Sequence, residues 1–353
     1  MSESLPGYRV DVAVLPDDAQ AVIEVWSEAL GYAGRRPAKL DWYYTRHPTA
    51  RARLLVLRHG RSIVGATGLA PRRMVWRGEP VDAALMGDFA VHSRHRTLFP
   101  ALTLQQAALR QGLAEHALLY GFPNAKSLPV VRRVGYRVLP GMARHARVLH
   151  SAGYLPKAWP EVLRRALGGA FDAMFALRDA LTLGCVRGEV QTAWLDSPDE
   201  RFDALWQRAL EHAGDCVIGV RDRAFMHWRF EARGWHGTRL FVLIESRTQR
   251  LLGYAACERD AATLHVRDLL VEQASPRLVA RLLRLLARQA RDQGQRSLSI
   301  SCSGPEWLRA GLRAAGLRLR DASSQPMILA LGPQAPPDMA SACWYLTRAD
   351  IDE

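Results

Sequence analysis

The sequence predicts an α+β fold built as two tandem lobes, each a mixed, mostly antiparallel sheet flanked by helices. Three observations support this. Short runs of alternating apolar and polar residues, joined by tight turns, read as hairpins. A strand, a basic turn and a helix between Ala83 and Gly112 lead into a second strand–helix–strand segment. The same order of elements then recurs in the back half at offsets of 180 to 188 residues, as a tandem duplication would give.

In chain order, residues 8–14 alternate as a strand with one buried face. Pro16-Asp17-Asp18 opens a helix that Ala21, Ile23, Trp26 and Leu30 continue at helical spacing, and residues 31–37 break it. Leu40-Asp-Trp-Tyr-Tyr44 heads a short aromatic helix that stops near His47-Pro48. Residues 53–59 and 62–69 form a hairpin about Gly60-Arg61, and residues 72–76 with Val81 onward form another about residues 77–80. Residues 83–91 read as a mostly buried strand. Residues 100–112 place Ala101, Leu102, Leu104, Ala108 and Leu109 on one helical face.

Between that strand and helix lie residues 93–98, which carry Arg94, His95 and Arg96. The first N–H groups of a helix lack partners and its dipole favours negative charge, so this turn is an anion site. Pro100 suits the first turn, where a missing N–H costs nothing. A phosphorylated ligand is expected here.

The stretch resembles the cofactor motif of the GCN5-related N-acetyltransferases (GNAT), the acyl-CoA-dependent N-acyltransferase superfamily. In that family a strand ends in Val, and an Arg/Gln-x-x-Gly-x-Gly/Ala turn cradles the CoA pyrophosphate ahead of a helix. On this chain the resemblance makes Val91 the strand end, Arg96 the opening of the turn and Ala101 its close, with Phe99 where the family prefers glycine. The apolar run 116–122, Asn124, a helix and Gly135-Tyr136 also resemble the family, with Val131 where many members carry a tyrosine acting as general acid on the thiolate. The resemblance spans roughly residues 6–150. It implies acetyl-CoA or another acyl-CoA as co-substrate and no metal. It sets Val91, Arg94, His95, Arg96, Thr97, Leu98, Ala101, Asn124 and Ser127 on the cofactor. Members often keep a carboxylate in the central strand as general base, which makes Asp88 the catalytic candidate and His92 the second. An ion pair between lobes would equally explain Asp88, and a surface turn His92. Trp42, Tyr43 and Tyr44 are candidates for the acceptor pocket, with core packing as the other reading.

Residues 151–189 read as a helical linker whose amphipathic stretch 161–183 either packs on a domain or lies on an anionic membrane surface. From Val190 the order repeats. Phe225-Met-His-Trp-Arg-Phe230 answers the aromatic helix, Asp268-Leu-Leu-Val271 answers Asp88-Phe-Ala-Val91, and Gly316-Leu317 answers Gly135-Tyr136. The expected division is residues 1–150 as the cofactor-binding lobe, 151–189 as linker and 190–353 as a second lobe. The copies differ chemically. Val271 is followed by Glu272 and a turn without Arg or Gly, and the acid would repel a pyrophosphate. The second lobe is therefore read as a degenerate copy that shapes the acceptor groove or the lobe interface.

The 353 residues are 48% apolar and 24% charged, ordinary globular values, but the net charge is +13. Such a surface attracts anions: nucleic acid, anionic lipid, acyl carrier protein or a phosphate-rich cofactor. No helix-turn-helix, zinc spacing or RNP-like strand is present, which ranks nucleic acid low. Five scattered cysteines without a C-x-x-C pair argue against a disulfide framework and a zinc site. No signal-peptide pattern opens the chain, and no apolar run approaches the roughly 20 residues of a membrane span, so a cytoplasmic location is expected. The reading is an N-acyltransferase that moves an acyl group from acyl-CoA, or an acyl carrier protein arm, to a small-molecule or envelope-precursor amine by direct attack. Its rivals are a non-catalytic acyl-CoA sensor or scaffold, and an aminoacyl-tRNA-dependent transferase of the same paired-lobe fold.

Overall fold

Arg77 and Gly78 both hold positive φ, 53° and 81°, and close a tight turn between two long strands, β3 (Ser62–Trp76) and β4 (Glu79–Val91). The sequence suggested two hairpins here, broken near Pro71. Instead β3 runs through, with Pro71 paired opposite Ala84. β2 (Arg53–His59) ends opposite Leu69 and the next strand to join β3 pairs only with Met74 and Val75, so Pro71 falls in an unpaired stretch, where a missing N–H breaks no ladder. β1 (Tyr8–Val12) continues the antiparallel run beyond β2. The computed structural model describes residues 7–31, 33–49, 52–184, 189–231 and 237–352; the readings made for Cys185 and for residues 1–6 lie outside them.

The remaining elements follow in two comparable series. In front are α1 (Ala19–Leu30), α2 (Arg36–Leu40), which passes into a wider turn at Asp41–Thr45, α3 (Leu98–Glu115), β5 (Leu118–Gly121), α4 (Leu128–Val134) and β6 (Arg137–Val148). After α5 (Glu161–Gly184) come β7 (Val190–Leu195), α6 (Arg201–Glu211), β8 (Cys216–Gly219) and α7 (Arg223–Met226). Then follow β9 (Arg239–Glu245), β10 (Leu251–Arg259), β11 (Thr263–Val271), α8 (Pro276–Asp292), β12 (Ser297–Ser303), α9 (Glu306–Ala314), β13 (Arg318–Leu331) and β14 (Cys343–Thr347).

Among the described residues the strands join in one sheet, in the order β1-β2-β3-β4-β5-β13-β6-β12-β11-β10-β9-β7. β4 with β5 and β11 with β12 are the equivalent parallel pairs, and β8 with β14 is parallel as well. The centre of the sheet is reciprocal. β6 leaves the front series to pair with β12, and β13 leaves the back series to pair with β5. The boundary set at residues 150 and 190 thus runs between hydrogen-bonded strands. A second reciprocal contact marks the same axis. Trp42 Nε1 donates to Trp228 O at 2.8 Å, Trp228 Nε1 donates to Trp42 O at 3.3 Å, and the rings stack 5.0 Å apart. Contacts in which i meets j and j meets i are what a duplicated chain makes about a pseudo-two-fold.

α5 sits against the body by one face. Its Asp179 accepts from Arg147 at 2.5 Å, and Gly168 lies so close to Ala152 that a Cβ there would come within 2.7 Å. The opposite face is apolar, with Val162 80% and Leu177 61% exposed.

The C-terminal segment threads between the lobes. Past the last β11–β12 pair, Val266 with Ile300, β14 pairs with Cys302 and Ser303 of β12, and Tyr345 Oη donates to Leu269 O of β11 at 2.7 Å. β14 therefore fills the gap where the back pair of parallel strands parts. Beyond it, Asp350 accepts from Arg72 at 2.9 Å and from Arg221 at 2.6 Å, all three buried. Burial alone would raise the Asp350 pKa, but Arg221 and Arg72 outweigh it and hold the carboxyl below its ordinary value. Asp350→Ala leaves Arg72 buried without its anion and Arg221 with Asp268 alone. It is expected to cost about 3–5 kcal/mol, read as a lower denaturation midpoint in chemical unfolding.

Candidate active site

β4 and β5 pair only as far as Met86 with Gly121, while β4 continues to Val91. The backbone beyond β5 turns away through residues 122–127 into α4, so the two strands splay. The gap opens into a cavity of 860 Å³, walled by β4 around Asp88, by the β5–α4 turn, and on the far side by residues of the back half and the C-terminal segment. In the second copy the matching gap is the one β14 occupies.

Asp88 stands at a bulge. The β3–β4 register jumps between Ala66 and Gly68, and Asp88 takes φ 51°, held by Trp26 Nε1 donating to its carbonyl at 3.1 Å. Its carboxylate accepts from Lys39 Nζ at 2.5 Å and from Tyr44 Oη at 2.7 Å. Burial pushes its pKa up, against the pull of Lys39. The sequence reading set an ion pair between the lobes against the catalytic one; the carboxylate is paired instead within its own lobe, with Lys39 and, at 4.0 Å, with Arg36. Asp268, its counterpart, is paired in the same manner with Arg221 at 3.0 Å, Tyr254 at 2.5 Å and Thr347 at 2.6 Å.

Asp352 is the second carboxylate of the cavity. It accepts from the Asp88 backbone N–H at 3.1 Å and from Lys39 at 3.4 Å. Burial would raise its pKa, but Lys39 and the backbone donor hold it below the ordinary carboxylate value. Gly87 permits the approach, since a Cβ there would lie 2.5 Å from Asp352 Oδ2. Nothing in sequence patterning marked Lys39 or Asp352, because one reads as a surface lysine and the other as a chain end.

The expected anion turn follows β4. Thr97 is the N-cap of α3 but its side chain caps none of the first-turn N–H groups, and Arg94 and Arg96 are exposed beside them. Arg96 Nε donates to Val91 O at 3.2 Å, and Ala101 is buried one turn into the helix. Leu98 is at the surface and Phe99 is 64% exposed, so Phe99 does not fill the splay. α8 contrasts. Ser275 caps it by accepting from Leu278 N, and Glu272 at its mouth is tied to Arg208 and Arg250. The front turn also carries an acid the sequence reading did not foresee: Glu28 accepts from Ser93 N at 3.0 Å.

The two histidines do not converge on Asp88. The His92 ring accepts from Arg94 N and lies 3.6 Å from Glu28, in the turn and outside the lining of the cavity, the placement its surface-turn reading describes. His95 is bonded to Tyr8 Oη at 2.8 Å, and burial followed by the neighbouring His59 lowers its pKa.

Asn124 and Ser127 line the cavity and also build the turn into α4, where Asn124 Oδ1 accepts from Ser127 N at 3.0 Å. Val131 lines it too, so no phenol stands at that position. Gln105 of α3 donates to Thr67 Oγ1 at 3.1 Å, while its Oε1, fully buried on the cavity wall, has no hydrogen-bond partner among the described residues. Trp42, Tyr43 and Tyr44 are core and do not line this cavity: Trp42 packs on Trp228, Tyr43 on both tryptophans, and Tyr44 supports Asp88. Substitution Gly68→Ala would set a Cβ 1.9 Å from the Tyr44 hydroxyl. It is expected to cost about 1–3 kcal/mol and to lower Tm, through overpacking that breaks the Tyr44–Asp88 bond.

Among the described residues no group of His, Cys, Asp and Glu is placed to hold a metal ion, and no helix is long and apolar enough to cross a membrane.

Comparison with known proteins gives one consistent result. A family model for the acetyltransferase (GNAT) domain matches residues 13–139. Solved structures of similar fold include a GCN5-related N-acetyltransferase from Anabaena variabilis. It has 13% identity and a TM-score of 0.64, covering 92% of this chain and 72% of that one. A tandem GNAT protein from the clavulanic acid biosynthesis pathway has 15% identity and a TM-score of 0.56, covering 93% and 99%. The Saccharomyces cerevisiae N-myristoyltransferase has 12% identity and a TM-score of 0.55, covering 95% and 82%. No curated protein matches in sequence. The front lobe, which carries the splayed strands and the uncapped basic turn, is thus similar to the acetyltransferase (GNAT) domain over residues 13–139, and the whole chain shares its two-lobed fold with these structures.

Proposed function

We propose that the front lobe is the catalytic one, that it takes acyl-CoA, and that it acylates a small amine held between the lobes. The observation that carries this is the difference between the two splays. The front one is open onto an 860 Å³ cavity beside an uncapped helix start, and the back one is filled by β14. The residues fit the co-substrate. Leu98, Phe99 and Ala101 supply first-turn N–H groups, and Arg94 and Arg96 supply cationic donors for a pyrophosphate. Gln105 Oε1 offers the buried acceptor that an amide N–H of the pantetheine arm requires.

Bound acyl-CoA supplies the acyl group as a thioester. Asp352 holds the acceptor nitrogen, which attacks as the neutral amine, and takes the proton released as the C–N bond forms. A carboxylate of low pKa suffices, because the positively charged nitrogen of the tetrahedral adduct is strongly acidic. Lys39 sits between Asp352 and Asp88, so Asp88 and Tyr44 fix the lysine and the lysine fixes Asp352. The amine attacks directly: among the described residues no cysteine lines the cavity, and the Ser127 hydroxyl is committed to Asn124. Among the described residues no tyrosine lines it either, so the thiolate departs unaided, which an ordinary thiol pKa near 8.5 permits.

Asp352→Asn is expected to lower kcat by about 10²- to 10⁴-fold in a free-thiol release assay, with acyl-CoA affinity by calorimetry within about twofold. A variant that turns over like the wild type removes Asp352 from the mechanism. Binding of acyl-CoA without turnover on any amine points to the sensor reading instead.

A further inference from the structure

A second cavity, of 390 Å³, lies in the seam between the lobes, within the size range of small-molecule sites. Tyr43, His47, Arg72 and Tyr120 of the front half line it together with Phe225 and Trp228 of the back half. It shares no lining residue with the 860 Å³ cavity, and the C-terminal segment divides the two: Ile351 lines the one and Asp352 the other. The walls are aromatic. The rings of Tyr43, His47 and Trp228 touch one another at centroid separations of 4.8 to 5.9 Å. The Arg72 guanidinium stacks 3.8 Å from the centroid of Phe225.

Three polar groups on these walls are donors without an acceptor. His47 Nδ1 accepts from the Thr49 backbone N–H at 3.4 Å and meets the Thr49 hydroxyl at 2.9 Å, which places the ring proton on Nε2. Burial, then the charge of Arg72, lowers the His47 pKa to about 4, so the ring is neutral. Its Nε2–H finds no acceptor among the described residues. Tyr43 packs its ring in the core, but its hydroxyl is bonded to no described residue, and burial raises its pKa and keeps the proton on it. The Arg72 Nε–H also lacks a partner, while its terminal nitrogens serve Asp350 and the carbonyls of Arg73 and Val220. Each of the three residues is at most 7% exposed. Asp350, the carboxylate on the same wall, already accepts from Arg72, Arg221 and the Thr347 backbone. Buried donors left unpaired are costly, and a ligand that brings the acceptors accounts for them.

We infer that the seam cavity is a second ligand site, separate from the acyl-CoA cavity, and that it takes a planar aromatic carboxylate. The ring of the ligand lies against Trp228 and Tyr43, and its carboxylate receives the N–H groups of His47 and Arg72 and the Tyr43 hydroxyl. An ionised carboxylate is acceptor-only and has lone pairs enough for all three. Its bond to the arginine is charge-assisted, and the positive field that depresses His47 favours an anion at the same point. The inference does not rest on the acyltransferase reading.

The test titrates 2-naphthoate, 2-naphthamide and cyclohexanecarboxylate into the full chain by calorimetry. The naphthoate is expected to bind with a dissociation constant of about 1 mM or lower. The amide, which loses the charge, and the alicyclic acid, which loses the flat ring, should each bind about fivefold or more weakly than that. His47→Phe removes a donor and fills space, and should weaken the naphthoate about tenfold or more. Tyr43→Phe, which removes only the hydroxyl, should weaken it about threefold to tenfold. Saturating acetyl-CoA should leave naphthoate affinity within about twofold, as two separate cavities require. No binding of the naphthoate, or equal binding of the acid and its amide, overturns the inference. Naphthoate affinity unchanged in the two variants, or competition with acetyl-CoA, overturns it as well, by placing the ligand outside the seam.

Discussion

The carboxylate of Asp350, buried between Arg72 of the front half and Arg221 of the back half, is the interaction on which the rest of the structure depends. Three charges removed from water are tolerable only when each finds its complement, and here each does. Arg221 also reaches Asp268 and the Gly219 carbonyl, and Arg229 grips the carbonyls of Arg348, Ala349 and Ile351. The C-terminal segment is thereby fixed in the seam between the lobes. Two residues beyond Asp350 the chain delivers Asp352 to the cavity, where Gly87 leaves room for it. A strongly specified packing feature and a chemical one are thus consecutive parts of a single segment.

That segment also accounts for the inequality of the two copies. Both copies hold an aspartate in their central strand, each satisfied by a hydroxyl and a cation. In the back copy the same chain end that supplies Asp352 to the front has already been used, as β14, to close the gap between β11 and β12. Ser275 then caps α8 from within, and Glu272 places negative charge where a phosphate would lie. The duplicated fold has one splay open onto a cavity and the other filled by its own chain.

Much of this was legible in the sequence, and the limits have physical causes. The strand–turn–helix around Val91 was readable because apolar periodicity and the helix start are local signals. The tandem order was readable because Trp42 and Trp228 recur in similar surroundings, and their reciprocal hydrogen bonds give the repetition a structural basis. The continuity of β3 through Pro71 was not readable, since it depends on where β2 stops. The exchange of β6 and β13 was hidden for the same reason: pairing partners far apart in sequence leave no periodic trace. Trp42, Tyr43 and Tyr44 proved to be core because an aromatic helix at a pseudo-two-fold axis carries the same pattern as one lining a pocket. Lys39, Gln105 and Asp352 became visible only once distant elements met in three dimensions.

The claim at the centre of this account is that the front splay, and not the back one, receives acyl-CoA. Amide hydrogen exchange with and without acyl-CoA tests it most directly, because it reports on both splays of the same molecule at once. The account predicts added protection across residues 87–101 and 122–131, with residues 271–280 at the start of α8 exchanging as before. Protection confined to residues 271–280, or equal in the two copies, would contradict it.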